Sequence, residues 1–393
     1  MGFIGIVAEY APFHRGHAYQ LERAKALSGN GDILVVMSGC FLQRGEAVPL
    51  DPFTRAAAAI SSGADLVVQL PVWTSLSPAG DFAAGAVRLL RRLGAEGISF
   101  GAETADPDLL RAGARFLREE PAKFREAVQR ALDKGVSYPE ALRQAAAECS
   151  PEFAPLLHRS NNILALEYLR TMEEIGWEGA VYPVERVGSP HAGGTELPER
   201  GYASAASLRR AMAEGRDIAK WLPETEAAQA QREAYREPED PVLLLREKYL
   251  MRVPVPADAG EGLENRLAKE VARGTSMTGI LQAAATRRYT EARLRRCVWQ
   301  VLLDMTPEDR QLLRREQPLY GRLLAASPRG LEHLAALPTE TREAVVIQPA
   351  GFRPENAAAR GWELDLRAWG LYGVLTQRSL DWHFRERLYT SAC

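Results

Sequence analysis

The sequence predicts an α/β protein, a doubly wound parallel sheet followed by a mainly helical region, and three observations carry that expectation. Short apolar, β-branched runs recur through the first hundred positions: "FIGIV" at 3–7, "DILVVM" at 32–37, "DLVVQL" at 65–70 and "GISF" at 97–100. Runs that are apolar at every position suit strands covered on both faces of a parallel sheet. Stretches at helical spacing separate them, at 15–28, at 51–62 with "FTRAAAAI", and at 81–93 with "FAAGAVRLLRRL". Strand and helix alternating at this interval wind a sheet in both directions, and ligands of such sheets sit beyond the carboxyl ends of the strands.

Each later element follows from a change in pattern. From about 105 to 175 Ala, Leu, Arg and Glu dominate without a clear strand, which predicts a helical insertion. "GAVYPVERV" at 179–187 predicts a further strand, and the Gly/Pro-rich stretch 188–201 a loop before a helix that opens near Ser204. The α/β domain is therefore expected to span 1–215, with 216–393 as a mainly helical C-terminal region. Acidic, Pro-flanked residues 223–241 read as a linker or an exposed helix. Residues 242 to about 335 read as helical, and the remainder mixes short runs with Trp362, Trp369 and Trp382.

Composition bounds the function classes. Of 393 residues, 46% are hydrophobic and 25% charged, near globular averages, which excludes a disordered or fibrous chain. A formal charge of −2 means that any polyanion partner must meet a local basic patch. No run approaches the eighteen or so uncharged residues of a membrane span, and the first residues lack a signal-peptide pattern, so a cytoplasmic protein is expected. Cys40, Cys149, Cys297 and Cys393 form no C-x-x-C pair, which predicts reduced thiols and no zinc ribbon. Nothing basic or helix-capping stands beside Cys40 to activate it as a nucleophile.

The most informative motif is "GIVAEYAPFHRGH", residues 5–17: a buried strand, a bend at Pro12, then His14, Arg15, Gly16 and His17 opening a helix. At a helix start the unpaired N–H groups and the dipole favour an anion, and glycine lets a phosphate approach the backbone. Two imidazoles in that turn are placed to donate hydrogen bonds to an α-phosphate and to a leaving pyrophosphate. The competing readings are a pair of capping histidines or a zinc pair, and the second lacks a nearby third ligand.

In order along the chain, "VAEYAPFHRGHAYQL", "MSGCFLQRGEAVPLDPFTRA", "GADLVVQLP", "GISFGAE", "SNNILALEYL" and "YASAASLR" are similar to the tRNA(Met) cytidine acetate ligase family of the HxGH nucleotidyltransferase superfamily. The resemblance spans roughly residues 3–215 and continues more loosely through "TRRYTEARLRR" and "PLYGRLLAASPRG". It implies a Rossmann-like HUP domain and a ligase that uses ATP, with Mg²⁺, to convert acetate into acetyl-adenylate. The acetyl group would then pass to N4 of the wobble cytidine of elongator tRNA(Met), giving N4-acetylcytidine. No DNA partner is implied, and the oligomeric state stays open.

The resemblance also implies site residues. Its ATP loop falls on Val7, Ala8, Glu9, Tyr10, Pro12, Phe13, His14, Gly16, His17 and Gln20, its further nucleotide contacts on Gly101, Asn161, Arg186 and Ser204, with Asn162 the lesser candidate beside Asn161. His14 and His17 are expected to be catalytic, joined by Arg44 of the "QRG" turn, which suits the acetate carboxylate or a phosphate. Ala11, Cys40, Gln69 and Ala206 depart from the family pattern of Asn, Asn, Glu and Thr.

The expected RNA surface is "TRRYTEARLRR", where Arg287, Arg288, Arg293 and Arg296 offer phosphate contacts and Tyr289 a stacking plane. Arg314, Arg315 and Arg322 extend the candidate patch. A solvated basic helix is the plain alternative. Two other functions compete: a coenzyme-type adenylyltransferase acting on a small phosphorylated substrate, which has no use for the helical half, and a non-catalytic tRNA- or ribosome-binding protein.

Overall fold

The computed structural model describes residues 2–187, 197–199, 201–250, 252–317 and 319–391. Most of the loop expected at 188–201, together with Pro318 and Cys393, lies outside the described residues.

The first half follows the expected alternation. Strand β1 (Phe3–Ala8) leads through α1 (Arg15–Leu27) to β2 (Asp32–Met37), then through α2 (Pro52–Ser61) to β3 (Leu66–Gln69). The short α3 (Val72–Ser75) and the long α4 (Ala79–Arg92) return the chain to β4 (Ala95–Ala102). The insertion is helical, with α5 (Pro107–Glu119), α6 (Ala122–Asp133), α7 (Tyr138–Cys149) and α8 (Ser160–Glu174), and β5 (Ala180–Glu185) follows. Next come α9 (Ala205–Ala213), α10 (Glu226–Gln229), α11 (Val242–Lys248), α12 (Leu263–Arg273), α13 (Met277–Ala284), α14 (Glu291–Leu302) and α15 (Pro307–Glu316). Strand β6 (Gly321–Ala326), α16 (Pro328–Ala336), α17 (Thr339–Arg342), β7 (Val345–Val346), α18 (Asn356–Leu375), α19 (Trp382–Arg385) and β8 (Tyr389–Thr390) complete the chain.

The sheet runs β5-β4-β1-β2-β3-β6-β7, with β8 on β6. Strands β1 to β5 are parallel and β6 runs antiparallel to β3. The order reverses at β1, whose neighbours are β2 and β4, so the crevice lies beyond the carboxyl ends of β1 and β4. Helices α1 and α2 cover one face with Leu21, Ala24, Ala56 and Ile60, and α4 and α8 cover the other with Phe82, Leu90, Leu166 and Leu169.

Two expectations about the second half need correction. Residues 321–326, read within a helical stretch, form β6, and all six are buried. Gly-Arg-Leu-Leu-Ala-Ala contains no β-branched residue, so its local preference is helical and only the open edge of β3 makes it a strand. Residues 223–241 are no linker: Gln231 is fully buried and clamps Phe13, accepting from its N–H at 2.8 Å and donating to its carbonyl at 2.9 Å. A polar side chain on a backbone segment leaves no hydrophobic signal in sequence. Trp369 and Trp382 close the α2 face, where Trp369 lies 5.6 Å from Phe53 and 5.3 Å from Trp382, ring centre to ring centre, while Trp362 packs apart with Tyr320 and Phe352.

Candidate functional site

Beyond β1 the chain bends at Tyr10, whose φ is +48°, and at the cis Ala11-Pro12 bond, then enters α1 at His14. The two histidines form the helix cap themselves. The Gly16 N–H donates to His14 Nδ1 at 3.1 Å and the His14 N–H donates to His17 Nδ1 at 3.3 Å. The rings stack with centres 3.7 Å apart and planes 22° from parallel, and Tyr10 and Phe13 back the His17 ring. Because each Nδ1 is an acceptor, each neutral ring carries its proton on Nε2. The capping reading and the phosphate reading are thus compatible: one nitrogen caps the helix and the other is left to donate. Gly16 is required by this packing, since a Cβ there would lie 2.9 Å from His14 Cε1.

Burial lowers the His14 pKa to about 3, with the Arg186 charge adding to the effect. Burial, then His14, then Arg186 lower that of His17 well below its ordinary value. Both rings are therefore neutral from pH 6 upward. The unfolded chain takes up protons below about pH 6.5 while the folded rings resist, so both groups lower stability as pH falls from 6.5, each by at most about 1.4 kcal/mol per pH unit. Nitrogen-15 NMR at pH 6 should find both rings neutral with the proton on Nε2; imidazolium shifts there would contradict this electrostatic picture.

The other side of the crevice is built from β4, β5 and α8. Gly101 lies in register with Val184, and Arg186 follows β5 with its N–H donating to the Ala102 carbonyl at 3.0 Å. A Cβ at Gly101 would meet Arg186 Cγ at an ordinary 3.5 Å, so the protein's own packing does not demand glycine there. Asn161 donates to Glu103 at 2.6 Å and accepts from Arg186 at 3.4 Å. Asn162 plays a different part: it is 1% exposed, and its Oδ1 accepts from the Glu103 and Thr104 N–H groups at 2.9 and 3.1 Å. Its amide is spent on the loop after β4, which corrects its reading as a nucleotide contact. Ser204 is the exposed cap of α9, accepting from the Ser207 N–H at 3.1 Å, and neighbouring Tyr202 sits 5.5 Å from Tyr19 of α1, ring centre to ring centre. Gln20 lies on α1 one turn beyond His17, and Val7 and Ala8 end β1.

Glu9 is half-buried and accepts from the Gln43 N–H at 2.8 Å. Burial raises its pKa, against the lowering by that N–H and by Arg209. Gln43 in turn donates to the Ser77 carbonyl at 3.1 Å. Arg44, the next residue, is exposed and makes no hydrogen bond or ion pair among the described residues. The turn that carries it is held from behind: Trp299 donates to the Gly45 carbonyl at 2.8 Å, and Gly45, at φ +73°, lies so close to α14 that a Cβ would fall 2.5 Å from the Arg296 nitrogen. Cys40 is buried and burial raises its pKa, in keeping with an inert thiol.

Arg55, which the sequence reading passed over, ties these loops together. It is fully buried and donates to the Glu9, Ser38, Gly39 and Leu50 carbonyls, the Ser38 and Leu50 bonds at 3.2 and 3.1 Å. Its signal in sequence was an arginine inside the apolar "FTRAAAAI" helix. Arg209 likewise donates to the Ala11 carbonyl at 2.8 Å.

The basic segment is only partly a surface. Arg287 and Arg288 are exposed and unpaired among the described residues. Tyr289 is 8% exposed with its hydroxyl on the Glu261 carbonyl, so it offers no stacking plane. Arg296 is 7% exposed and donates to Asp258 at 2.8 Å, and Arg293 donates to the Asp258 carbonyl at 3.1 Å. Tyr289 and Arg296 hold α14 against the loop 256–261, which corrects their reading as RNA contacts, while the Arg293 side chain stays partly exposed. Arg322 is buried 4.4 Å from the Trp369 ring, and burial lowers its pKa to about 10. Arg314 is bound to Asp81.

A doubly wound sheet with paired imidazoles at the first helix start defines a nucleotidyltransferase of the HIGH class, and the HIGH Nucleotidyl Transferase family model matches residues 1–386. The chain is 32% identical over 394 residues to the tRNA(Met) cytidine acetate ligase of Thermoanaerobacter sp. (strain X514), covering 96% of both chains. It is 31% identical to the ligase of that name from Acetivibrio thermocellus, covering 95% of this chain and 94% of the other. The crystal structure of Thermotoga maritima TmcAL bound with alpha-thio ATP superposes with a TM-score of 0.87 at 27% identity, over 99% of each chain. The chain belongs to the tRNA(Met) cytidine acetate ligase family.

Proposed function

We propose that this protein activates acetate with ATP and transfers the acetyl group to N4 of the wobble cytidine of elongator tRNA(Met). The observation that carries the reading is the stacked His14/His17 pair, with both Nδ1 atoms fixed by backbone donors, at the sheet's switch point. An acetate oxygen attacks the α-phosphorus and the bond to the bridging oxygen breaks, releasing pyrophosphate. The two Nε2–H groups donate to the oxygens on which charge accumulates, with the helix start and Arg186 beside them. Arg44 orients the acetate carboxylate, and Asn161 and Gly101 take the adenosine side. N4 of cytidine then attacks the carbonyl carbon of acetyl-adenylate, AMP leaves, and N4 loses a proton. The site offers imidazole and guanidinium donors, and among the described residues no group of three or more His, Cys, Asp or Glu side chains stands together. Mg²⁺ brought in with ATP would neutralise phosphate charge in this site.

In this reading residues 1–215 carry the nucleotide site and 216–393 the RNA surface, the two joined through β6. In this reading the protein acts in the cytoplasm, because its tRNA substrate is there. Among the described residues no helix is long and apolar enough to cross a membrane. Exposed Arg287 and Arg288 are the RNA contacts of the basic segment. Replacing both by Glu should weaken tRNA binding and reduce the slope of log affinity against log salt by about 0.7 to 0.9 per lost phosphate contact, with tRNA-independent pyrophosphate exchange unchanged. An unchanged salt slope would move the RNA surface elsewhere. The reaction itself is tested by incubating the protein with tRNA, ATP and acetate, without acetyl-CoA, and analysing the nucleosides for N4-acetylcytidine.

A further inference from the structure

Acetyl transfer to an amine releases a proton, and a group in the crevice must receive it. The histidines cannot. Each Nδ1 already accepts a backbone N–H, at 3.1 Å for His14 and 3.3 Å for His17, and each Nε2 carries a hydrogen. Cys40 is buried and inert. Two of the neighbouring carboxylates are also spent: Glu103 accepts from the Asn161 amide at 2.6 Å and the Asn162 N–H at 3.0 Å, and Glu46 is bound by Arg209 and, at 3.5 Å, by Arg295.

Glu9 differs from both. Its Oε1 accepts from the Gln43 N–H at 2.8 Å, but no described residue donates to Oε2, which is not one of the buried polar atoms cut off from solvent. It follows the central strand β1 at the switch point, whereas Glu185 ends the edge strand β5. Its backbone is fixed as well, since Arg55 donates to the Glu9 carbonyl, and the N–H that holds Oε1 belongs to the residue before Arg44. The carboxylate thus sits beside the guanidinium that orients acetate in the proposed reaction.

A carboxylate has no hydrogen to offer a triphosphate, so Glu9 is ill suited to a phosphate contact although it stands in the nucleotide loop. It suits an amine: Asp and Glu are the residues that accept from N4 of cytosine. We propose that Oε2 of Glu9 receives the N4–H of the wobble cytidine and takes its proton in the transfer step, an assignment that rests on the acetyl-transfer reading above. The bond from N4 to the acetyl carbon forms, the bond from that carbon to the adenylate oxygen breaks, AMP leaves with the electron pair, and the proton ends on the carboxylate. Facing Glu9 are Arg44 and Glu46 from the loop after β2, Arg55 of α2, Arg209 of α9 and Tyr168 of α8. Burial outweighs the Gln43 N–H and the arginines and raises the Glu9 pKa, which makes it a stronger base than an ordinary carboxylate.

The test compares the full chain with Glu9→Gln, which keeps the shape of the side chain and an oxygen for the Gln43 N–H but cannot take a proton. Two rates are measured: acetate-dependent ATP–pyrophosphate exchange without tRNA, and single-turnover formation of N4-acetylcytidine from synthetic acetyl-adenylate and elongator tRNA(Met) across pH. Transfer by the variant should fall about a hundredfold or more relative to its exchange. Transfer by the unaltered protein should rise with pH through a group above the ordinary carboxylate range, and the variant should lack that rise. Equal losses in the two rates would assign Glu9 to ATP and overturn the proposal, as would a variant that keeps the original transfer rate or pH profile. An unaltered protein that transfers nothing from acetyl-adenylate would overturn the acetyl-transfer reading and this proposal together, so the two failures are told apart.

Discussion

Replacing His17 by alanine should slow acetate-dependent ATP–pyrophosphate exchange by about 2 to 4 kcal/mol, roughly 30- to 1,000-fold, with a smaller effect on ATP affinity. The expectation rests on the ring's geometry: Nδ1 is engaged by the His14 N–H at 3.3 Å, so Nε2–H is the group that can meet the reacting phosphate. A donor aimed at charge that develops during the reaction contributes more to rate than to ground-state binding. The substitution also removes half of the capping box, so circular dichroism and a melting curve must accompany the kinetics. Near-normal exchange in a folded variant would remove His17 from the chemistry.

The second large effect is on stability. Arg296→Ala should destabilise the protein by about 3 to 5 kcal/mol, because it leaves the Asp258 carboxylate, 3% exposed, without its 2.8 Å partner. Arg310, 3.0 Å away on the other oxygen, remains, which favours the lower end of that range. The loss should appear as a lower denaturant midpoint with an unchanged slope. A shift worth under about 1 kcal/mol would mean that the pair is solvated, and Arg296 would return to the candidate RNA surface. The contrast with Arg287 and Arg288 is direct, since the same residue type eight and nine positions earlier should affect RNA binding and leave stability alone.

That contrast explains what was legible in the sequence. The five parallel strands and the His14-x-Gly16-His17 turn were readable because each rests on local pattern: apolar runs of strand length, and a glycine and two imidazoles where a strand becomes a helix. The long-range contacts were not. Arg296 and Tyr289 carry the composition of a nucleic-acid surface, and only their burial against 256–261 assigns them to packing. Gln231 lay in a stretch whose acidity suggested solvent, yet its amide fits the Phe13 backbone at both N–H and carbonyl. Strand β6 reads as helix because Leu and Ala prefer helices; the edge of β3 overrides that preference. Arg55 was missed for the same reason, since its four carbonyl partners come from two separate loops and leave no spacing to read.

The central claim is that acetate is activated at the His14/His17 crevice by nucleotidyl transfer and then handed to tRNA. Its most direct test incubates the protein with elongator tRNA(Met), ATP and labelled acetate, without acetyl-CoA, following nucleotide products and tRNA nucleosides together. The account predicts AMP and pyrophosphate in step with labelled N4-acetylcytidine, and pyrophosphate exchange that requires acetate even when tRNA is omitted. ADP and phosphate as products, or N4-acetylcytidine that appears only when acetyl-CoA is supplied, would contradict it.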